Sequence, residues 1–156
     1  MSGGPSGFAP PFAPPAHRQA EDLADGWPLR DFIELGALDG SIPSARYHAR
    51  HILREWQLTG LGDDVELVVA ELVTNAVAAS RAMDFPFPVR MWLLSDTASV
   101  LVVVWDASPR PPVLMEPAED AEVGRGLLLV EAVSARWDWQ VSADGDGKII
   151  RALITG

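Results

Sequence analysis

Two polar residues stand inside an otherwise apolar run, Asp64 to Ser80, DVELVVAELVTNAVAAS: Glu71 and Asn75. At i,i+4 they lie on one side of a helix, one turn apart. A carboxylate and a carboxamide in such surroundings bond to each other at a helix edge, or they line a pocket and meet a ligand or an ion. Both offer hard oxygen ligands. These suit Mg²⁺, which keeps several waters and completes its shell with phosphates. Two further sites downstream carry chemistry. The apolar run SVLVVVWD ends abruptly in Asp106, and Gly124-Arg125-Gly126-Leu127 opens a helical pattern. Glycines at a helix start let phosphate approach backbone N–H groups and the positive end of the dipole, although a plain structural turn has the same signature.

The elements that position these residues are legible from periodicity. Val65, Val69, Leu72, Ala76 and Ala79 form one face of a helix of about four to five turns, and apolar neighbours fill most of the rest, which predicts a buried helix. Arg30 to Ala37 reads as a first strand. Ser41 reads as the N-cap of a helix running to Trp56, with Ala45, Ala49, Ile52 and Trp56 inward. Arg46, Arg50 and Arg54 form a solvated face of that helix, and His48, His51 and Glu55 carry no metal on this reading. Asp63 is positioned to cap the central helix. Val89 to Ser95 and Ser99 to Asp106 predict an antiparallel hairpin. Ala107 to Val123, with four prolines, predicts a lid or binding loop. A helix from Leu127 to Arg136, a strand Trp137 to Ser142, a turn and a closing strand Lys148 to Ile154 complete the chain. Lys148 reads as a solubilising residue on a strand edge, with a phosphate contact the less favoured reading.

This order predicts an α+β fold: a two-layer sandwich, a mostly antiparallel mixed sheet of about five strands with three helices on one face. Residues 1 to 28 are a Pro- and Gly-rich leader whose composition predicts disorder, with Phe8 and Phe12 as a short docking motif the less favoured reading. Residues 29 to 156 are the folded domain. The 156 residues carry no cysteine and a formal charge of −10, with basic residues scattered. Disulfides and thiolate zinc sites are thereby excluded, and neither nucleic acid nor an anionic membrane is expected as a partner. No apolar run reaches the roughly 20 residues that span a bilayer.

E-x-x-x-N on an apolar helix, a strand ending in Asp, a Pro-rich loop and G-x-G-L opening a helix stand here in sequence order. In that order they resemble the GHKL (Bergerat-fold, histidine-kinase-like) ATPase superfamily over about residues 30 to 156. The string ELVTNAV looks most like the small branch of anti-sigma factor serine/threonine kinases. The resemblance implies a cytoplasmic ATP- and Mg²⁺-dependent regulator of transcription, with a sigma factor or an antagonist protein as partner, commonly as a homodimer. It implies that Asn75 holds the Mg²⁺ bridging the ATP phosphates and that Glu71 is the general base. Asp106 would accept from the adenine amine, and Gly124, Arg125, Gly126 and Leu127 would wrap the phosphates. An ATP-binding or partner-binding module without catalysis is the alternative on the same fold. The chain departs from the family pattern at Ala107-Ser108-Pro109-Arg110, where the D-x-G-x-G box has glycines. It departs also at Ala79, where a His is common, and at Lys148-Ile149, where a Thr is common.

Overall fold

The computed structural model describes residues 26–112, 125–142 and 145–156. Five strands, β1 (Leu29–Leu35), β2 (Val89–Ser95), β3 (Val100–Asp106), β4 (Arg136–Val141) and β5 (Lys148–Ile154), form one sheet in the order β1-β2-β3-β5-β4. Every pairing in it is antiparallel. Three α-helices, α1 (Ser41–Glu55), α2 (Gly62–Arg81) and α3 (Arg125–Val133), join it, with a short 3₁₀ turn at Thr59–Leu61 before α2. This is the expected α+β sandwich with its helices on one face.

Alternation along the strands explains the layering. Val100, Val102 and Val104 of β3 and Ile150, Ala152 and Ile154 of β5 join the helices in one core, together with Val69, Leu72, Val73 and Ala76 of α2. The intervening residues Leu101, Val103, Trp105 and Ile149 point the other way and form a second apolar cluster with Trp92 and Leu94. Strands apolar on both faces are buried on both faces.

α2 is not buried all round, as its composition predicts. Val65, Val68, Val69, Leu72, Val73, Ala76, Val77 and Ser80 are buried, whereas Leu67, Ala70, Glu71 and Asn75 are half-buried and Ala78 is exposed. Small residues replaced large ones along that side, so it lies beside open space instead of packing tightly.

The expected caps differ in detail. Ser41 is the first residue of α1, and its hydroxyl donates to Gly36 O at 2.7 Å, so it ties the helix to the preceding turn. Asp63 and Asp64 lie within the first turn of α2, where their charges favour the dipole without a side-chain cap bond. The Arg face of α1 is exposed, yet Arg50 reaches across to α2 and donates to both carboxylate oxygens of Glu66, at 2.9 and 2.7 Å. His48 lies 2.5 Å from Asp31 of β1, and His51 pairs with Glu55 within its own helix at 3.0 Å.

Candidate nucleotide site

Between the open side of α2 and the ends of β3 and β5 lies a cavity of about 490 Å³. α2 contributes Asn75, Ala78, Ala79 and Ala82 to its wall; the segment after β3 contributes Ser108 to Pro112; β5 contributes Lys148. The alanines on that wall of α2 leave the room. Ala79 in particular occupies a position where the resemblance leads one to expect an imidazole.

Asn75 Oδ1 is buried and has no hydrogen-bond partner. A carbonyl oxygen in that state costs about 1–3 kcal/mol unless something binds it. Glu71 does not supply the answer: no hydrogen bond joins the two side chains, and burial is the cause that pushes the Glu71 carboxyl above its ordinary value of 4.5. A structural Glu–Asn pair at a helix edge would have closed on itself. Thr74, between them in sequence, turns its hydroxyl back to Ala70 O at 2.6 Å and leaves the wall.

The far end of the cavity is different. Asp106, the last residue of β3, stands opposite Lys148, the first of β5, in the antiparallel register. Lys148 Nζ donates to Asp106 Oδ1 at 3.0 Å and to Ser108 O at 3.3 Å. Asp106 Oδ1 also accepts from the Ser108 backbone N–H at 2.9 Å. Both side chains are buried, at 1% and 2% exposure. Burial pushes the Asp106 carboxyl up, and the Lys148 ammonium and the Ser108 N–H pull it part of the way back.

Lys148 is therefore not a solubilising edge residue. β5 closes the chain but not the sheet: β4 lies outside it, so β5 has a neighbour on each side. A lone lysine opening an apolar strand, opposite an aspartate in register, was the signal available in the sequence. Gly147 belongs to the same junction. It has φ +102°, and a Cβ there would meet Asp106 O at 2.3 Å and Trp105 Nε1 at 2.7 Å, so only glycine lets β5 start this close to the end of β3.

Of the residues expected to wrap phosphates, Gly124 lies outside the described residues, as does most of the expected binding loop. Arg125 and Gly126 begin α3, which packs against α2, and the side chain of Leu127 is 2% exposed within the helix-side core. Asn75 and Lys148 thus line one cavity, with Asp106 held behind its wall by Lys148 and Glu71 one turn from Asn75. Among the described residues no group of three His, Asp or Glu side chains could by itself hold a metal ion, so a cation here would rest on Asn75 and on groups the ligand brings.

Residues 37–154 match the profile of the histidine kinase-like ATPase domain, and the chain belongs to that family. Among solved structures it is similar to the RsbU and RsbW domains of Rv1364c from Mycobacterium tuberculosis, with a TM-score of 0.59 at 18% identity. That likeness covers 81% of this chain and 32% of the other, and it establishes the shared fold. No match is found among curated proteins. No helix among the described residues is long and apolar enough to cross a membrane.

Proposed function

We propose that this chain is an ATP-binding regulatory protein, and that it acts as a serine/threonine protein kinase of the anti-sigma type on a small antagonist protein. The carrying observation is the unpartnered, buried Oδ1 of Asn75, a residue on the wall of a cavity, one turn from the half-buried Glu71. The family supplies the ligand class, and the donor type fits it: the unbonded amide oxygen of a residue on the cavity wall suits a hydrated Mg²⁺ that takes its other ligands from water and phosphate. Bound Mg²⁺ would neutralise charge on the transferred phosphoryl group.

The chain's own residues do the rest. Asn75 fixes the cation end of the nucleotide. Glu71, with its carboxyl raised toward neutrality by burial, is a base able to take the proton of an incoming hydroxyl. The N-terminus of α3, like that of any helix, carries a positive dipole end suited to phosphate. Phosphoryl transfer asks for little more than this positioning, together with charge stabilisation. The protein bearing the accepted hydroxyl, and a sigma factor or similar target held by the same domain, are the partners this reading requires; a homodimer is compatible with it.

A second reading is favoured by one specific observation. Asp106 Oδ1 already has a donor in Lys148, so a ligand competes with an internal ion pair for the carboxylate expected to select adenine. On that reading the domain binds nucleotide weakly and regulates its partner without transfer.

The deciding experiment has two arms. Titration of ATP with and without Mg²⁺, on wild type and Asn75→Ala, should show Mg²⁺-dependent binding that the variant loses. Phosphate transfer to the cognate antagonist should vanish in Glu71→Gln. Binding with no transfer to any antagonist would leave the second reading standing, and no nucleotide binding under any condition would remove both.

A further inference from the structure

The two ends of the cavity differ in what their side chains have left to offer. At the α2 end the spare group is an acceptor, Asn75 Oδ1. At the strand end the spare groups are donors. Lys148 lines the cavity, and among the described residues its ammonium has two acceptors, Asp106 Oδ1 and Ser108 O. An ammonium carries three N–H groups, so one is left over. Ser108 lines the same wall. Its hydroxyl oxygen accepts from the Arg110 N–H at 3.3 Å, and its own O–H has no acceptor among the described residues. Asp106 is 2% exposed and does not border the cavity; Lys148 stands between. The carboxylate that does border it, Asp84, comes from the segment after α2 and is exposed.

Lys148 offers a hydrogen bond here without a net charge. Its Nζ lies 3.0 Å from the Asp106 carboxylate, and the buried pair is neutral as a unit. A phosphate gains little from a cation that is already compensated, whereas a neutral carbonyl oxygen gains a full donor. The Asn75 end takes the cation and the phosphates, so the strand end meets the base. A purine brings to its 6-position either an amine, as in adenine, or a carbonyl, as in guanine. An amine sets a donor against donors, and it reaches Asp106 only in competition with the ion pair. A carbonyl accepts from Lys148 and Ser108 and leaves the pair in place. Mismatched polar groups of this kind are what lets a site reject a near-identical ligand.

We propose that Lys148, with Ser108, makes this cavity read the 6-position of a purine as an acceptor, so that inosine and guanosine triphosphates bind in preference to ATP. The inference rests on the reading of the cavity as a nucleotide site held at its other end by Asn75, and it names the base that site selects. Lys148 acts in it as a specificity-determining residue.

Inosine and adenosine triphosphates share ribose and phosphates and differ only in that edge of the base. Calorimetric titration of each, with Mg²⁺, on the full-length protein therefore isolates the base from any phosphate contact. The inosine nucleotide should bind about tenfold tighter or more, the scale of one hydrogen bond to a charged donor, and GTP should share the advantage. Equal affinities would assign Lys148 to a phosphate or to structure alone, and overturn the proposal. Tighter binding of ATP would mean that Asp106 reads the amine, and would overturn it too. Both results leave the nucleotide site itself standing; binding of none of the three removes the site and this inference together. The double variant Asp106→Asn, Lys148→Met takes away both charges at once, which a buried pair tolerates far better than the loss of one partner. In it the preference should shrink to within about twofold of parity. A preference retained in full would show that Lys148 is not its source. The wild-type comparison needs no variant, so it decides even where the double variant does not fold.

Discussion

The cavity has two ends built on opposite principles. At the α2 end, Asn75 Oδ1 is buried without a partner, and one turn away the Glu71 carboxyl is half-buried and unpaired. At the strand end, Asp106 is withdrawn further and given two, the Lys148 ammonium and the Ser108 N–H. Unpaired polar groups cost stability and are retained where something else completes them. Paired ones are stable without a ligand, and a ligand has to displace the pairing. The α2 end thus keeps an unbonded oxygen for an incoming cation, while at the strand end Asp106 Oδ1 is already satisfied.

The largest effect should come from breaking the complete end. Lys148→Met leaves Asp106 buried without its cation, and should cost about 3–5 kcal/mol in urea unfolding at neutral pH. The deficit should shrink on acidification, because Asp106 can then take a proton. A loss independent of pH would mean that packing, not charge, holds this junction. Gly147→Ala tests the same end through the backbone. With φ at +102° and Asp106 O at 2.3 Å from the new carbon, it should cost about 1–3 kcal/mol.

The unpartnered end should respond in the opposite sense. Asn75→Ala removes an orphaned carbonyl and improves helix propensity, so stability should hold or rise by about 0.5 kcal/mol while Mg²⁺-dependent nucleotide binding falls. If the variant instead unfolds more easily, Asn75 is structural and the contrast between the ends fails.

The smallest effect is in the pH dependence of Glu71. Its folded pKa is raised, so the folded state holds the proton more tightly than the unfolded chain. Its contribution is fully present below the ordinary glutamate value and is lost as pH rises through the raised one. Glu71→Gln should therefore flatten the stability profile across that window, with the variant the more stable at neutral pH. An identical slope in the two proteins would show that Glu71 is solvated.

Much of the fold was legible because it rests on local patterns. The hairpin of β2 and β3 and the span of α2 follow from alternation and from the 3.6-residue repeat, with boundaries off by a residue or two. The Glu71–Asn75 spacing placed both side chains on one side of a helix before any packing was known. Ser41 and Asp63 were misjudged because a cap depends on where the chain enters the helix, and the preceding turn set that. Leu127 was assigned to a ligand by its neighbourhood in the sequence, yet its side chain faces the core.

What the chain's sequence determined alone was the set of elements, their order and the polar residues they carry, since each depends on interactions within a few residues. Tertiary structure decided which of those polar residues have partners. Strand order placed β5 inside the sheet, and register set Lys148 against Asp106, a contact across 42 positions of sequence. Among the described residues the alanine side of α2 meets no packed element and forms a cavity wall. Only there does Asn75 stay both buried and unbonded, because burial is a property of what surrounds a residue and not of the residue.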